Sequence, residues 1–199
     1  MKKKLLLVIF ITLLLCGCGK KKENPIVTME IKNYGTIKLE LYPNIAPNTV
    51  ANFVNLIQDN YYDNNNFHRL VKGFVLQGGD PTATGSGDPG YNIEGEFSLN
   101  GFKNTLSHTE GIISMARAKD NDSAGSQFFI MLSDDYASTL DGSYAAFGKV
   151  IEGMDIIHTI ENDDFKYTDE ELGILENPIA IEKVTIDTKG EKYKVNKIS

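Results

Sequence analysis

Arginine is rare in this chain, and its two positions are the first candidates for chemistry. The sequence holds only Arg69 and Arg117, against 18 lysines. An arginine side chain stays protonated at physiological pH and presents a rigid, planar fork of N–H donors. Because lysine is so strongly preferred elsewhere, an arginine at a motif position is not expected by accident.

A hydrolase triad is a second possible use of the reactive residues. His68, Ser126 and Asp80 are residues of the right types. No G-x-S-x-G motif surrounds Ser126, however, and no protease signature includes it. We therefore interpret Ser126 as a turn residue that leads into a strand.

Two further patterns have structural interpretations. Residues 85–90 match G-x-G-x-x-G, yet Pro89 prevents the helix start that a dinucleotide site requires. The three histidines lack the spacing of metal ligands. We assign His108 to a loop and His158 to a helix face, and we expect neither a metal nor an organic cofactor.

Four short segments follow one another in a fixed order around Arg69. They are FHR at 67–69 with GFVLQGGD at 73–80, GIISMA at 111–116, GSQFFI at 125–130, and LDG at 140–142 with FGKV at 147–150. Together they resemble the cyclophilin family of peptidyl-prolyl cis/trans isomerases. The resemblance implies an all-β fold: a closed eight-stranded antiparallel barrel, capped by two α-helices, with the active groove on its outer face.

The resemblance also implies roles for single residues. Arg69 corresponds to the catalytic arginine. The substrate-binding positions are the pocket walls Phe74, Val75, Phe129 and Leu140, the groove residues Gln77, Ala116 and Gln127, and the neighbouring His68, Arg117 and Tyr144.

The implied reaction is rotation about the C–N bond of an X-Pro amide. The barrier is about 18–20 kcal/mol, and the unaided rotation takes roughly 10–100 s. In the twisted transition state the prolyl nitrogen regains a localised lone pair and becomes a better hydrogen-bond acceptor. A donor placed there binds the transition state selectively, which is the role implied for Arg69.

Three positions depart from the family pattern. Thr139 and Tyr144 stand where many eukaryotic members have tryptophan and histidine, and Arg117 stands where asparagine is frequent. Thr139 and Tyr144 leave a second hypothesis open, a proline-peptide-binding module or holdase chaperone without turnover, whereas Arg117 is expected to cost little, because bacterial relatives commonly have Met-Ala-Arg here and the backbone usually makes the contact. A third hypothesis, a purely structural lipoprotein, is the least favoured, because it does not explain the presence of Arg69 and Gln77.

The hydrophobic pattern predicts a β-rich domain with two helices. A hairpin is predicted around Asn33-Tyr34-Gly35, and further strands at 67–71, 74–77, 112–115, 128–132, 145–151 and 181–186. From Pro47, apolar residues recur at i, i+3, i+4 and i+7, which predicts a helix whose other face includes Asn48 and Asn52. A second helix is predicted at 154–160. The acidic segment 162–177 gives no clear pattern.

The N-terminus is typical of a bacterial lipoprotein leader. Three lysines precede an apolar run at residues 5–15, which is too short for a membrane span of about 20 residues. Gly17 directly precedes Cys18, as in a lipobox, so Cys18 is the predicted lipidation site. We therefore predict a signal peptide at 1–17, a lipidated tether at 18–25, the isomerase domain at 26–188 and a polar tail at 189–199.

Charge and location restrict the partners. Six of the 20 Lys and Arg residues lie within residues 1–22, so 14 remain against 26 acidic residues from Asn24 onward, a balance of −12. Phosphate backbones would repel such a domain, and we expect no nucleic-acid partner. We expect an extracytoplasmic, lipid-anchored monomer on the membrane surface that acts on proline-containing unfolded or exported polypeptides.

Overall fold

The structure is a computed structural model that describes residues 23–198. The predicted signal peptide and Cys18 lie outside these residues, so the predictions for them stay predictions. Within residues 23–198, none of the helices is both long enough and apolar enough to cross a bilayer.

The domain opens with the predicted hairpin. Strand β1 (Ile26–Ile31) pairs antiparallel with β2 (Gly35–Leu41). In the turn, Asn33 and Gly35 have φ angles of 68° and 121°. Asparagine and glycine tolerate positive φ better than other residues, which explains the position of this turn.

Helix α1 (Pro47–Gln58) begins at the predicted proline, and the apolar face that starts at Val50 is buried. Asn52, on the face predicted as polar, is nevertheless not exposed to solvent. Its side chain is fully buried, donates to the carbonyl oxygen of Gly125 at 2.7 Å and accepts from the hydroxyl of Tyr91 at 2.8 Å. Both ends of the amide are bonded, which makes its burial tolerable.

The remaining elements close the sheet into a barrel. They are β3 (Asn65–Val71), β4 (Val75–Gly78), β5 (Ile112–Met115), β6 (Phe128–Met131), the single turn α2 (Ala137–Leu140), β7 (Ala146–Glu152), α3 (Met154–Asn162), β8 (Tyr167–Asp169) and β9 (Ile174–Asp187). The strand order is β1-β2-β7-β5-β6-β4-β3-β9, and β9 pairs back onto β1. All pairings are antiparallel, so the predicted eight-stranded barrel with two main helices is confirmed.

The acidic segment without a clear pattern forms a hairpin on the outside of the barrel. Strand β8 pairs with the first part of β9, which begins at Ile174 and not near residue 181 as predicted. Gly173 has φ +74°, and a Cβ there would lie 2.4 Å from the carbonyl oxygen of Leu70. Only glycine lets the hairpin approach β3 this closely.

Aromatic side chains fill the interior of the barrel. The ring of Phe53 lies 4.9 Å from Tyr62, 5.4 Å from Phe128 and 5.1 Å from Phe147, measured between centroids. All four residues are fully buried. A barrel of eight strands is just wide enough for its side chains to fill it. Substrate chemistry must therefore take place on the outer surface.

The C-terminal segment is part of the domain. The side chain of Asn48 on α1 forms two hydrogen bonds with the backbone of Asn196: its Nδ2 donates to the carbonyl oxygen at 3.0 Å, and its Oδ1 accepts from the N–H at 2.7 Å. Tyr193 and Val195 are half-buried against the core, and Ile198 pairs with Asn92. The segment predicted as a polar tail thus lies packed along α1.

Candidate active site

A β-bulge in β3 directs Arg69 out of the barrel. Phe67 and Leu70 both point into the core, and the register against β4 shifts between Phe67 and Arg69. A bulge places two residues opposite one and re-aims the side chains that follow it. Arg69 therefore leaves the barrel wall beside its cross-strand partner Gln77.

The guanidinium of Arg69 is fixed by two acceptors. Its Nη1 donates to Oε1 of Gln77 at 3.0 Å, and its Nε donates to the carbonyl oxygen of Leu172 at 2.8 Å. Burial lowers the pKa of Arg69, with a smaller opposing effect from Tyr144. An arginine nonetheless stays protonated at neutral pH. Its Nη2 group has no hydrogen-bond partner among residues 23–198, so it is available to a substrate.

Gln77 is itself held in one orientation. Its Nε2 donates to Oε1 of Gln127 at 3.0 Å, and Nε2 of Gln127 donates to the carbonyl oxygens of Gly85 and Gly87, each at 3.0 Å. These bonds leave the Gln77 oxygen facing the guanidinium. The glutamine pair thus connects the loop at residues 85–87 to Arg69.

A cavity of about 240 Å³, with mostly apolar walls, lies next to this guanidinium. It is lined by Arg69, Phe74, Val75, Gln77, Ala116, Arg117, Phe129, Leu140 and Tyr144. Phe129 follows Phe128 on β6, so the two rings point to opposite sides of the sheet. We call this space the proline cavity, because it brings nine of the sequence-predicted site residues together.

A second cavity of about 460 Å³ adjoins the first. Gln77, Ala116 and Arg117 line both cavities and form a shared wall between them. Gln127 lines only the second cavity, together with the loop at residues 85–88. Together the two cavities form one groove on the outer surface of the barrel.

The structure does not bring His68 into the groove. Its side chain is 1% exposed and lines neither cavity, and both ring nitrogens lack a hydrogen-bond partner among residues 23–198. The hydroxyl of Ser126 donates to the carbonyl oxygen of Gly79 at 2.8 Å. Because His68 does not contact that hydroxyl, the arrangement is not a hydrolase triad. Residues 23–198 contain no group of three or more metal-ligating side chains.

A hydrogen-bond network centred on the buried side chain of His108 supports one wall of the proline cavity. Nδ1 of His108 lies 2.8 Å from Oδ1 of Asp141, and its Nε2 lies 2.9 Å from the hydroxyl of Ser114. The imidazole stacks on Phe129, with centroids 6.1 Å apart. Asp141 directly follows Leu140, another wall residue. Sequence reasoning placed His108 in a loop and missed this role, although Asp141 belongs to one of the four segments.

The two buried histidines predict a loss of stability in mild acid. Burial lowers the pKa of His68 and of His108, although Asp80 and Asp141 respectively act to raise it. Arg69 lowers the pKa of His68 further. In the unfolded chain each histidine has its ordinary pKa of about 6.5. Below about this pH the unfolded state therefore binds more protons than the folded state. The free energy of unfolding should therefore fall as pH drops below about 6.5 through the lowered folded-state pKa values.

Urea unfolding at about pH 7.5 and about pH 5.5 measures this loss, which can reach about 1.4 kcal/mol per pH unit for each histidine. In His68→Gln the loss should be smaller than in the parent. An equal loss in both proteins would contradict the assignment to His68.

Comparison with known proteins agrees with the geometry. Residues 26–186 match the model of the family described as cyclophilin type peptidyl-prolyl cis-trans isomerase/CLD. A peptidyl-prolyl cis-trans isomerase of Helicobacter pylori is 41% identical over 157 residues, which cover 71% of this chain and 92% of the relative. The peptidyl-prolyl cis-trans isomerase B of Bacillus subtilis is 44% identical over 128 residues, 64% of this chain and 85% of the relative.

A solved structure shows the same fold. The crystal structure of a cyclophilin type peptidyl-prolyl cis-trans isomerase from Cryptosporidium parvum, determined in the presence of the dipeptide Ala-Pro, superimposes with a TM-score of 0.70 and 35% identity. The superposition covers 81% of this chain and 98% of that one.

The chain belongs to the cyclophilin-type peptidyl-prolyl cis-trans isomerase family. Its activity is the acceleration of rotation about X-Pro peptide bonds, as the names of its relatives indicate.

Proposed function

We propose that this isomerase is held on the outer side of a membrane by a lipid on Cys18 and acts there on proline-containing unfolded or exported polypeptides, with Arg69 as the catalytic group. The observation that carries the catalytic part is the guanidinium of Arg69, fixed by two acceptors in the wall of the proline cavity. The Cryptosporidium structure was determined in the presence of the dipeptide Ala-Pro, which supports proline-containing peptides as the ligand class.

The mechanism follows from which donors remain free. With Nε and one N–H of Nη1 bound to Leu172 and Gln77, both N–H groups of Nη2 and the second N–H of Nη1 stay free, and we assign the contact with the substrate to Nη2. The prolyl nitrogen accepts a hydrogen bond well only when the amide is twisted. Nη2 therefore stabilises the transition state more than either planar isomer, and no covalent bond to the substrate is required.

Arg69 alone does not supply the whole acceleration. A 10⁵-fold effect corresponds to about 7 kcal/mol. One preorganised donor in a site that excludes water contributes about 2.7–4 kcal/mol. The remainder comes from the cavity walls Phe74, Phe129 and Leu140, which hold the ring and exclude water, and from Gln77, which keeps the donor in place.

Turnover distinguishes the enzyme from a binding module. Exchange spectroscopy on a bound proline peptide should show cis/trans interconversion far faster than the unaided rate of once in roughly 10–100 s. Binding with exchange at the unaided rate would instead favour the module. Tyr144, one of the departures that motivated the module, lines the proline cavity beside Arg69, so the wall is complete without the family's histidine.

The strand order supports access for large clients. In the closed barrel, four pairings separate β1 from β6 in either direction, so these strands lie on opposite walls. The tether continues from β1, whereas Phe129 on β6 lines the proline cavity. The described chain therefore enters the barrel across from the proline cavity, which supports a groove that stays open to polypeptides when the N-terminus is anchored.

If Cys18 carries the lipid anchor, its substitution should abolish membrane association. Cys18→Ser in the full chain should release the protein from membranes into the soluble fraction, because two acyl chains are needed for stable anchoring. Cys16→Ser is the matched control, since Leu15 and not a small residue precedes it. Fractionation of cells that produce each variant measures the effect. Membrane retention of Cys18→Ser together with release of Cys16→Ser would contradict the assignment.

A further inference from the structure

Both arginines of the chain line the proline cavity. Residues from Asn24 onward nevertheless have only 14 basic side chains against 26 acidic ones. No carboxylate lines this cavity, and among residues 23–198 no carboxylate forms a salt bridge with Arg69 or Arg117. A strongly acidic domain thus places two unpaired positive charges at its substrate site.

Arg117 is held by groups that leave its charge intact. Its Cζ lies 4.8 Å from the ring centroid of Tyr144 and 5.1 Å from that of Phe97. Its Nε donates to the carbonyl oxygen of Ser143, and its Nη1 to that of Ala118, each at 3.0 Å. Aromatic faces and backbone carbonyls orient a guanidinium without neutralising it. Its Nη2 group makes no hydrogen bond within the part of the chain that the structure describes.

Arg117 lies where it can contact the residue next to the proline of a bound peptide. Arg117 belongs to the shared wall and lines both cavities. A peptide with its proline ring in the proline cavity and its chain running into the second cavity must pass this wall. The side chain of the flanking residue on that side of the proline therefore lies within reach of Arg117.

Few competing carboxylates are near this path. Within residues 23–198, Asp88 is the only carboxylate that lines either cavity, and its Oδ1 accepts the backbone N–H of Gly90 at 2.7 Å. Asp120 and Asp122 lie in the loop after Arg117 but line neither cavity. A carboxylate brought by the substrate would be the first anionic partner of the Arg117 guanidinium.

We propose that Arg117 selects substrates with glutamate or aspartate next to the proline, on the side that runs into the second cavity. The proposal rests on the proposed function, because it names the substrate class of the same groove. A half-buried, charge-assisted hydrogen bond is stronger than an exposed ion pair but weaker than a fully buried one. We therefore expect a preference of about five- to tenfold for an acidic side chain over its neutral amide.

Paired peptides test this selection. The full chain, purified in detergent, is assayed on proline peptides that carry glutamate or glutamine at the two positions before the proline or at the one after it. At one of these positions the parent should show a kcat/KM ratio of about five to ten in favour of glutamate. In Arg117→Gln the ratio should fall to about one, and salt at about 0.5 M should lower it in the parent. Both peptides meet the same protein sample, so partial unfolding of a variant cancels in the ratio.

Two control variants separate charge from geometry. Arg117→Lys keeps the charge but loses the planar fork and should give an intermediate ratio. Lys119→Gln removes an exposed cation that lines neither cavity and should leave the parent ratio unchanged. The proposal would be overturned if the glutamate-to-glutamine ratio of kcat/KM stayed within about twofold of one at every position, or if the preference persisted in Arg117→Gln. Either result would leave the isomerase assignment intact. Failure to accelerate any peptide would instead count against the proposed function.

Discussion

Arg69→Ala is expected to lower kcat/KM for a proline peptide by about 10²–10³-fold, the effect of removing one preorganised donor from a site that excludes water. The barrel should stay folded, because Arg69 points away from the core that Phe67 and Leu70 join. A protease-free assay of cis/trans exchange measures the loss, and circular dichroism checks the fold.

Arg69→Lys is the informative companion to this variant. Lysine keeps the positive charge but cannot reach the acceptors on Gln77 and Leu172 while also presenting a third donor to the substrate. It should therefore lose most of the activity as well. Full activity in Arg69→Lys would show that charge alone suffices, and full activity in Arg69→Ala would refute the catalytic role.

Phe128 and Phe129 are adjacent in the sequence, but their substitution by alanine should have different effects. Phe128 is fully buried, and its ring lies 5.4 Å from Phe53, 5.6 Å from Tyr62 and 5.8 Å from Phe67. Phe128→Ala should lower the free energy of unfolding by about 3–5 kcal/mol, because it opens a cavity in the core. Chemical denaturation measures this change.

Phe129 lines the proline cavity instead. Phe129→Ala should reduce kcat/KM by about 10–100-fold, which corresponds to the loss of about 1.5–3 kcal/mol of apolar contact with the proline ring. Its effect on stability should be smaller than that of Phe128→Ala, because one side of the ring faces an open cavity. Equal loss of stability with unchanged activity in Phe129→Ala would show that the proline ring binds elsewhere.

Much of the barrel is predictable because its signals are local. Alternating apolar residues, glycine and asparagine turns, and the 3.6-residue period from Val50 specify the hairpin, several strands and α1. Barrel closure through the pairing of Ile26 with Asp187 joins residues far apart in the chain. It was predicted only through the family resemblance, since no local pattern encodes such a contact.

The elements that sequence reasoning missed depend on tertiary partners. Asn52 is polar, but its burial is made possible by Gly125 and Tyr91, which lie far along the chain. The β8–β9 hairpin is acidic and lacks a clear alternation, and its approach to β3 depends on Gly173. A propensity pattern contains neither kind of information.

In the candidate site, too, some features are predictable from the sequence and others depend on tertiary contacts. Side-chain identity was enough to predict most of the cavity walls, because the four segments keep their order around Arg69. The carbonyl oxygen of Leu172, which fixes Nε of Arg69, is a backbone group and has no signature in the sequence. His68 precedes Arg69 in the motif, but the bulge in β3 sends the two side chains to different places.

The central claim is that Nη2 of Arg69 donates to the nitrogen of a proline whose ring occupies the proline cavity. A crystal structure of the chain with a bound X-Pro peptide tests it most directly. We predict the ring between Phe129 and Leu140, with Nη2 directed at the prolyl nitrogen within reach of a hydrogen bond of about 2.7–3.2 Å. A proline ring outside this cavity, or a guanidinium turned away from the prolyl nitrogen, would contradict the account.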